Sequence, residues 1–207
     1  DPFPILCGTS AGAINAVALA SREESFVDSC QWLENLWLNL QTDFVYRSDW
    51  TGITRNAWRL FLSLINSGIA VGRPVALLDN LPLKQLLRQK IDFSGIGRNI
   101  QSGKLNAVCV TAMNYTEGVS VSFYQGGPDN AEWQRWRRQG IPTPLELRHL
   151  LASTAIPTIF PPQRVGRNYY GDGALRQLTP ISPALHLGAE KILIVSPTGH
   201  KRNYDKP

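Results

Sequence analysis

"ILCGTSAGAINAV" runs from Ile5 to Val17. An apolar run meets Gly8, Ser10 stands between Gly8 and Gly12, and an alanine-rich stretch follows with Ile14, Val17 and Leu19. The pattern predicts a buried strand over 4–7, a tight turn at Ser10 and a helix over 11–21. G-x-S-x-G sets a serine on a sharp strand-to-helix turn, with its Oγ exposed. Gly8 and Gly12 read as positions where a side chain would collide with the adjoining strand and helix. The positive end of the helix points at the site. The N–H of Ala11, just after the serine, is a natural oxyanion donor. A glycine-lined turn that merely packs closely would show the same letters.

Working outward, strands and helices alternate. Phe26, Cys30, Leu33, Trp37 and Leu40 recur at helical spacing over 24–40, and Ala57, Trp58, Phe61, Leu62 and Ile65 do so over 54–66. Gly68, Gly72 and Pro74 then break the chain. A short helix over 83–89 is entered through Pro82. Residues 104–114 and 119–125 read as strands, the first mostly apolar, as a strand covered on both faces is. A helix over 143–153 has Thr143 as its cap and Pro144 in its first turn. "STAIPTIFPP" reads as a stiff loop, "NYYGDGAL" as a strand end entering a glycine turn, and 191–197 as a further buried strand. The expectation is an α/β fold, a three-layer α/β/α sandwich with a central, mostly parallel sheet.

The 207 residues suit a single domain over 1–207. At 43% hydrophobic and 18% charged, the chain has enough apolar content for a core, and disorder is not expected. No apolar run reaches the length of a membrane span. The chain starts at Asp1 and its one methionine is Met113, so we expect a fragment or a processed product. A signal peptide upstream would leave no trace in it. Cys7, Cys30 and Cys109 lack metal-ligand spacing and read as buried free thiols. That favours a reducing compartment, with the protein in the cytoplasm or at the periphery of a membrane. The net charge of +5 rests on 15 Arg and 6 Lys, and a positive balance attracts anionic surfaces.

A nucleophilic serine needs a base. Asp172, between Gly171 and Gly173 in "YYGDGALRQLTP", is the candidate whose carboxylate could reach across a sheet edge. An aspartate there could instead serve its own turn by accepting nearby backbone N–H groups. His149 falls within a helix. His186 and His200 follow Asp172, so the order Ser, Asp, His is open as well.

Together, "GTSAGAINAV", "LLASTAIPTIFPP" and "YYGDGALRQLTPISPALHLGAEKILIV" resemble the patatin-like phospholipase family, and "LLDNLPLKQLLRQKIDF" at 77–93 resembles a middle segment of it. The resemblance implies lipid acyl hydrolysis by a Ser–Asp dyad without histidine. Ser10 matches the nucleophile, and Asp172, followed by Gly173 and Ala174, matches the dyad base. It implies a phospholipid or other acyl-ester lipid as substrate and no cofactor or metal. Aspartate is ordinarily a weak base at neutral pH, so a dyad needs a close bond to its serine. The family also carries a glycine-rich oxyanion loop upstream. Nine residues precede Ser10 here and none has that character. The expectation is therefore a domain truncated at its N-terminus, lacking the first strand and helix. Loss of one oxyanion donor costs about 10²–10³ in rate.

"WQRWRRQG" at 133–140 mixes Trp133 and Trp136 with Arg135, Arg137 and Arg138. The mixture suits peripheral contact with an anionic membrane. It also suits single-stranded nucleic acid, although no nucleic-acid partner is expected, and it suits a solvated basic loop with a core tryptophan. Trp32, Trp37, Trp50 and Trp58 could belong to a lid or to ordinary core. Three functions stay open: a dyad lipid hydrolase, a Ser-His-Asp esterase using His186 or His200, and a non-catalytic relative that binds lipid or protein.

Overall fold

The computed structural model describes residues 2–39, 80–127, 131–175 and 181–196. The elbow stretch folds as its pattern predicts. β1 (Ile5–Thr9) runs through Ser10 into α1 (Ala11–Ala20), which buries Ala13, Ile14, Ala16 and Val17. Small alanines let the helix lie close to the sheet. α2 (Phe26–Leu38) starts at Ser25, whose Oγ accepts the Asp28 N–H at 3.2 Å. α3 (Leu81–Lys90) carries Pro82 in its first turn and Arg88 and Lys90 in its last, which complements the helix dipole. The helix expected over 54–66, with Trp50 and Trp58, lies outside the described residues.

α4 (Phe93–Gln101) has no counterpart in the sequence reading, because Gly95, Gly97 and Asn99 blur its period. Two of these residues have packing roles. A Cβ on Gly95 would stand 2.1 Å from the Ser21 carbonyl oxygen. Asn99 Nδ2 donates to the carbonyls of Ala20 and Arg22 and so closes the end of α1. The helix expected from 143 begins later, as α5 (Leu147–Ser153). Thr143 is still tied to the sheet, its N–H bonded to the Tyr124 carbonyl at 2.8 Å. α6 (Ile181–His186) follows a 3-10 turn at Gly173–Leu175.

β2 (Ala107–Asn114) is the hub of a sheet with seven strands among the described residues. One edge of β2 pairs along its whole length with β3 (Val119–Gly126). Beyond β3 come β5 (Arg138–Pro142) and β4 (Trp133–Arg135), which form a hairpin where the sequence suggested a loop. The other edge is shared. Parallel β1 takes Ala107–Thr111, and antiparallel β7 (Asn168–Asp172) takes Ala112–Asn114. β6 (Gln163–Val165) pairs outside β7. The α/β class is as expected. The sheet is more mixed than expected, since only β1–β2 and β3–β5 are parallel among the described pairs. Short hairpin connections near β4–β5 and β6–β7 force antiparallel neighbours.

Alternation along β2 gives each face its own core. Val108, Val110 and Ala112, with Val121, Phe123 and Tyr170, pack under α1, α3, α4 and α5. Ala107, Cys109 and Tyr124 form a smaller cluster on the opposite face with Leu187, against Ile5, Cys7 and Trp133. Helices thus lie on both faces. Of the buried strand expected over 191–197, the described residues Lys191–Ser196 form no strand and stay exposed, Val195 by 89%. An apolar run becomes a strand only where another edge takes up its N–H and C=O groups. No described helix is long and apolar enough to cross a membrane.

Candidate active site

The shared edge of β2 creates the site. β1 and β7 run toward each other along it, so their C-terminal ends abut between Thr111 and Ala112. Ser10 follows the last residue of β1, and Asp172 is the last residue of β7. Ser10 Oγ donates to Asp172 Oδ2 at 2.6 Å, joining residues 162 positions apart. Asp172 is 4% exposed. Its other oxygen, Oδ1, accepts the Ala174 N–H at 2.8 Å. The carboxylate therefore serves its own turn with one oxygen and the serine with the other.

Ser10 adopts φ 53° and ψ −127°, a left-handed conformation that non-glycine residues rarely take. Such strain costs roughly 1–3 kcal/mol and persists only where the surroundings enforce it. Three contacts enforce it here. Gly8 lies against α1, where a Cβ would meet the Gly12 carbonyl oxygen at 2.1 Å. The Ser10 carbonyl accepts from Ala13 N–H at 2.9 Å. The Ser10 N–H donates to Ser153 Oγ at 2.9 Å. Gly12 differs from the expectation of a collision, because an added Cβ there would meet nothing within 4 Å. Its absence leaves space beside the serine.

Ser153 is the residue the sequence reading missed. It ends α5, is fully buried, and donates its own proton to the Thr111 carbonyl at 2.6 Å. Two residues on, the Ala155 carbonyl accepts the Asp172 N–H at 2.9 Å. One short segment thus brackets the backbones of both Ser10 and Asp172. The signal is a serine closing the helix expected over 143–153, but nothing in the local pattern gives that serine a role at Ser10. Gly173 is required by the same crowding, since a Cβ would stand 2.2 Å from the Thr111 carbonyl oxygen.

Ser10, Ala11 and Gly12 open on a cleft of about 530 Å³. Its walls are mainly apolar and include Ile5, Ile181, Ala184, Ile192 and Ile194. Cys7 also lines it, in register with Cys109, and both are free thiols. A hydrogen bond with Cys109, together with burial, pushes the Cys7 thiol well above the usual range. It is therefore a neutral wall residue at neutral pH.

The histidines have other partners. His149 is buried against Phe123, with ring centroids 4.8 Å apart, and its Nδ1 accepts the Glu146 N–H at 3.0 Å. Burial, aided by Arg148, lowers its pKa to about 4. His186 stacks on Trp133 at 4.9 Å, and burial shifts its pKa downward as well. Neither histidine bonds to Ser10 or Asp172 among the described residues, and His200 lies outside them. Trp37, of the proposed lid, donates its indole N–H to Asn15 Oδ1 at 2.7 Å, and Trp32 lies under Arg22. Both serve the α1–α2 contact.

A mixed sheet flanked by helices, with a strand–serine–helix elbow abutting a buried aspartate, defines an α/β fold. The sequence model of the patatin-like phospholipase family matches residues 1–185, and the chain belongs to that family. At the family level this is a lipid acyl hydrolase. No curated protein matches the chain.

Proposed function

We propose that the protein hydrolyses acyl esters of lipids through Ser10 and Asp172. The 2.6 Å hydrogen bond between Ser10 Oγ and the buried Asp172 carboxylate carries this reading. Asp172 accepts the Ser10 proton as Oγ attacks the ester carbonyl carbon. The carbonyl oxygen becomes an oxyanion at the N-terminus of α1, where the Ala11 N–H is free of intrahelical bonding by position. Collapse of this intermediate expels the alcohol or lysolipid, which takes the proton back from Asp172. Water then attacks the acyl-serine with Asp172 as base again, and the fatty acid leaves.

The chemical problem is the weak basicity of a carboxylate. Geometry addresses it. Asp172 is fixed by Ala174 N–H and Ala155 O, and the serine by Ser153, so the proton has a short set path and little reorganisation. The apolar cleft beside Ser10 supplies a place for the acyl chain. The bonding of His149 and His186 speaks against a triad.

The test is hydrolysis of a short nitrophenyl ester and of phospholipid vesicles by the full-length protein. Ser10→Ala and Asp172→Asn are expected to abolish both activities, with His186→Ala and His200→Ala active. Loss of activity in either histidine variant would contradict the dyad.

A further inference from the structure

Register places three turns at one end of the sheet, the end where Ser10 and Asp172 meet. Asn114 pairs with Val119, so the β2–β3 turn lies just past the site. Ser120 pairs with Arg138, and Arg138 with Arg135, so the tip of the β4–β5 hairpin lies there too. Asn114 also pairs with Tyr170, and Val165 with Asn168, which brings the β6–β7 turn to the same end. Arg138, through Ser120, is level with Met113, one residue beyond the Ala112–Asp172 pair. At about 3.4 Å per residue, the hairpin tip projects roughly 3–7 Å past the dyad along the strand axis.

The chemistry of this rim is one-sided. Arg135, Arg137 and Arg138 on the hairpin and Arg164 and Arg167 on the β6–β7 turn are all exposed. Against them, these turns hold one carboxylate, Glu117, which is already bonded to Asn168. Among the described residues none of the five arginines is in an ion pair. At the hairpin tip Trp136 is 84% exposed, with the Arg137 guanidinium over its ring at 5.3 Å. The neighbouring Trp133, by contrast, stacks on Tyr124 and His186. The two tryptophans thus divide the labour, one packed and one presented to solvent. Arg137 takes a φ of 54°, which turns the chain tightly there.

We propose that this rim is the surface by which the protein docks on an anionic lipid bilayer. The inference rests on the lipid-hydrolase reading for its choice of a bilayer. Arginines pair with lipid phosphates and carboxylates, while the indole enters the headgroup region. Three arginines beside the exposed indole, with Arg164 and Arg167 at the far edge of the same rim and none of the five in an ion pair among the described residues, complement that layer in charge and in polarity. Docking by this end of the sheet brings Ser10 and Asp172, which lie one to two residues from the rim along the strands, near the plane of the ester bonds. It also explains an exposed tryptophan that the core does not use.

The test measures sedimentation of full-length Ser10→Ala protein, in which lipid is not consumed, with vesicles of phosphatidylcholine alone or with added phosphatidylserine. Binding is expected only with phosphatidylserine and is expected to weaken with salt. The triple change Arg135→Gln, Arg137→Gln and Arg138→Gln should weaken it roughly 100-fold. Trp136→Ala should weaken it roughly tenfold. In the protein with Ser10 intact, the same changes should leave hydrolysis of a soluble short-chain ester unaltered. Equal binding to both vesicles, or undiminished binding by the triple variant, would overturn the proposal. So would capture by a single-stranded oligonucleotide in place of vesicles. A wild type that binds vesicles yet cleaves no ester would leave docking standing and sink the hydrolase reading instead.

Discussion

The two faces of the sheet are built to different standards. Under α1, α3, α4 and α5, the even-numbered residues of β2 meet a continuous apolar core. On the other face, four buried residues, Ile5, Cys7 and Trp133 stand beside an open cleft. The closed face is packed, and the open face carries the cleft that the proposed function assigns to the acyl chain. The link between them is Ser153, which reaches from the closed side to hold the Ser10 N–H while Ala155 holds that of Asp172. The comparison teaches that the Ser10–Asp172 pair is held from behind, by groups of the packed side.

The largest effect should come from the Ser10–Asp172 pair itself. Ser10→Ala or Asp172→Asn is expected to lower kcat by about 10⁴-fold or more while moving the melting temperature little. A large fall in melting temperature would show that the pair also supports the fold. Ser153→Ala tests the link. It takes the partner from the part-buried Ser10 N–H and leaves the Thr111 carbonyl with the long 3.5 Å bond from Thr9 Oγ1, at about 1–3 kcal/mol in stability. Misplacing the nucleophile should cost roughly 10²-fold in kcat at unchanged KM. Thr154→Val is the control, since Thr154 Oγ1 donates to the Leu150 carbonyl at 3.0 Å and, among the described residues, bonds neither Ser10 nor Asp172. It should destabilise without lowering kcat, and equal kcat losses in both variants would break the comparison.

The closed face also predicts acid sensitivity. His149 is neutral in the fold with a pKa of about 4, against about 6.5 when unfolded. The unfolded chain takes up the proton first, so stability is lost as pH falls from about 6.5 to 4. The loss should reach up to about 3 kcal/mol. Urea unfolding across that window should show it, and His149→Gln should flatten the slope. On the open face, each methylene added to the acyl chain should raise kcat/KM about fourfold until the cleft is filled. Arg98, which bridges the exposed carboxylates of Glu23 and Asp92, belongs to neither face. Arg98→Ala should cost only about 0.2–1 kcal/mol.

Local chemistry made the elbow legible. Gly8, Ser10 and the alanine run announce a strand, a turn and a helix, and all three are present. Asp172 was legible as an aspartate between glycines, though only the shared edge of β2 brings it to Ser10. Nothing local encodes that two strands meet head-on along a third. The same limit hid Ser153, whose partners are 143 and 42 residues away. α4 was missed because its glycine answers to a neighbouring carbonyl rather than to helical propensity. The 191–196 run was misread because an apolar pattern does not name its strand partner.

The most direct measurement is covalent labelling of the full-length protein by a fluorophosphonate, with the adduct located by mass spectrometry and its rate followed in variants. The account predicts one adduct, on Ser10, formed far more slowly in Asp172→Asn and at the wild-type rate in His186→Ala and His200→Ala. An adduct on another residue, or a rate that collapses with either histidine, would contradict it.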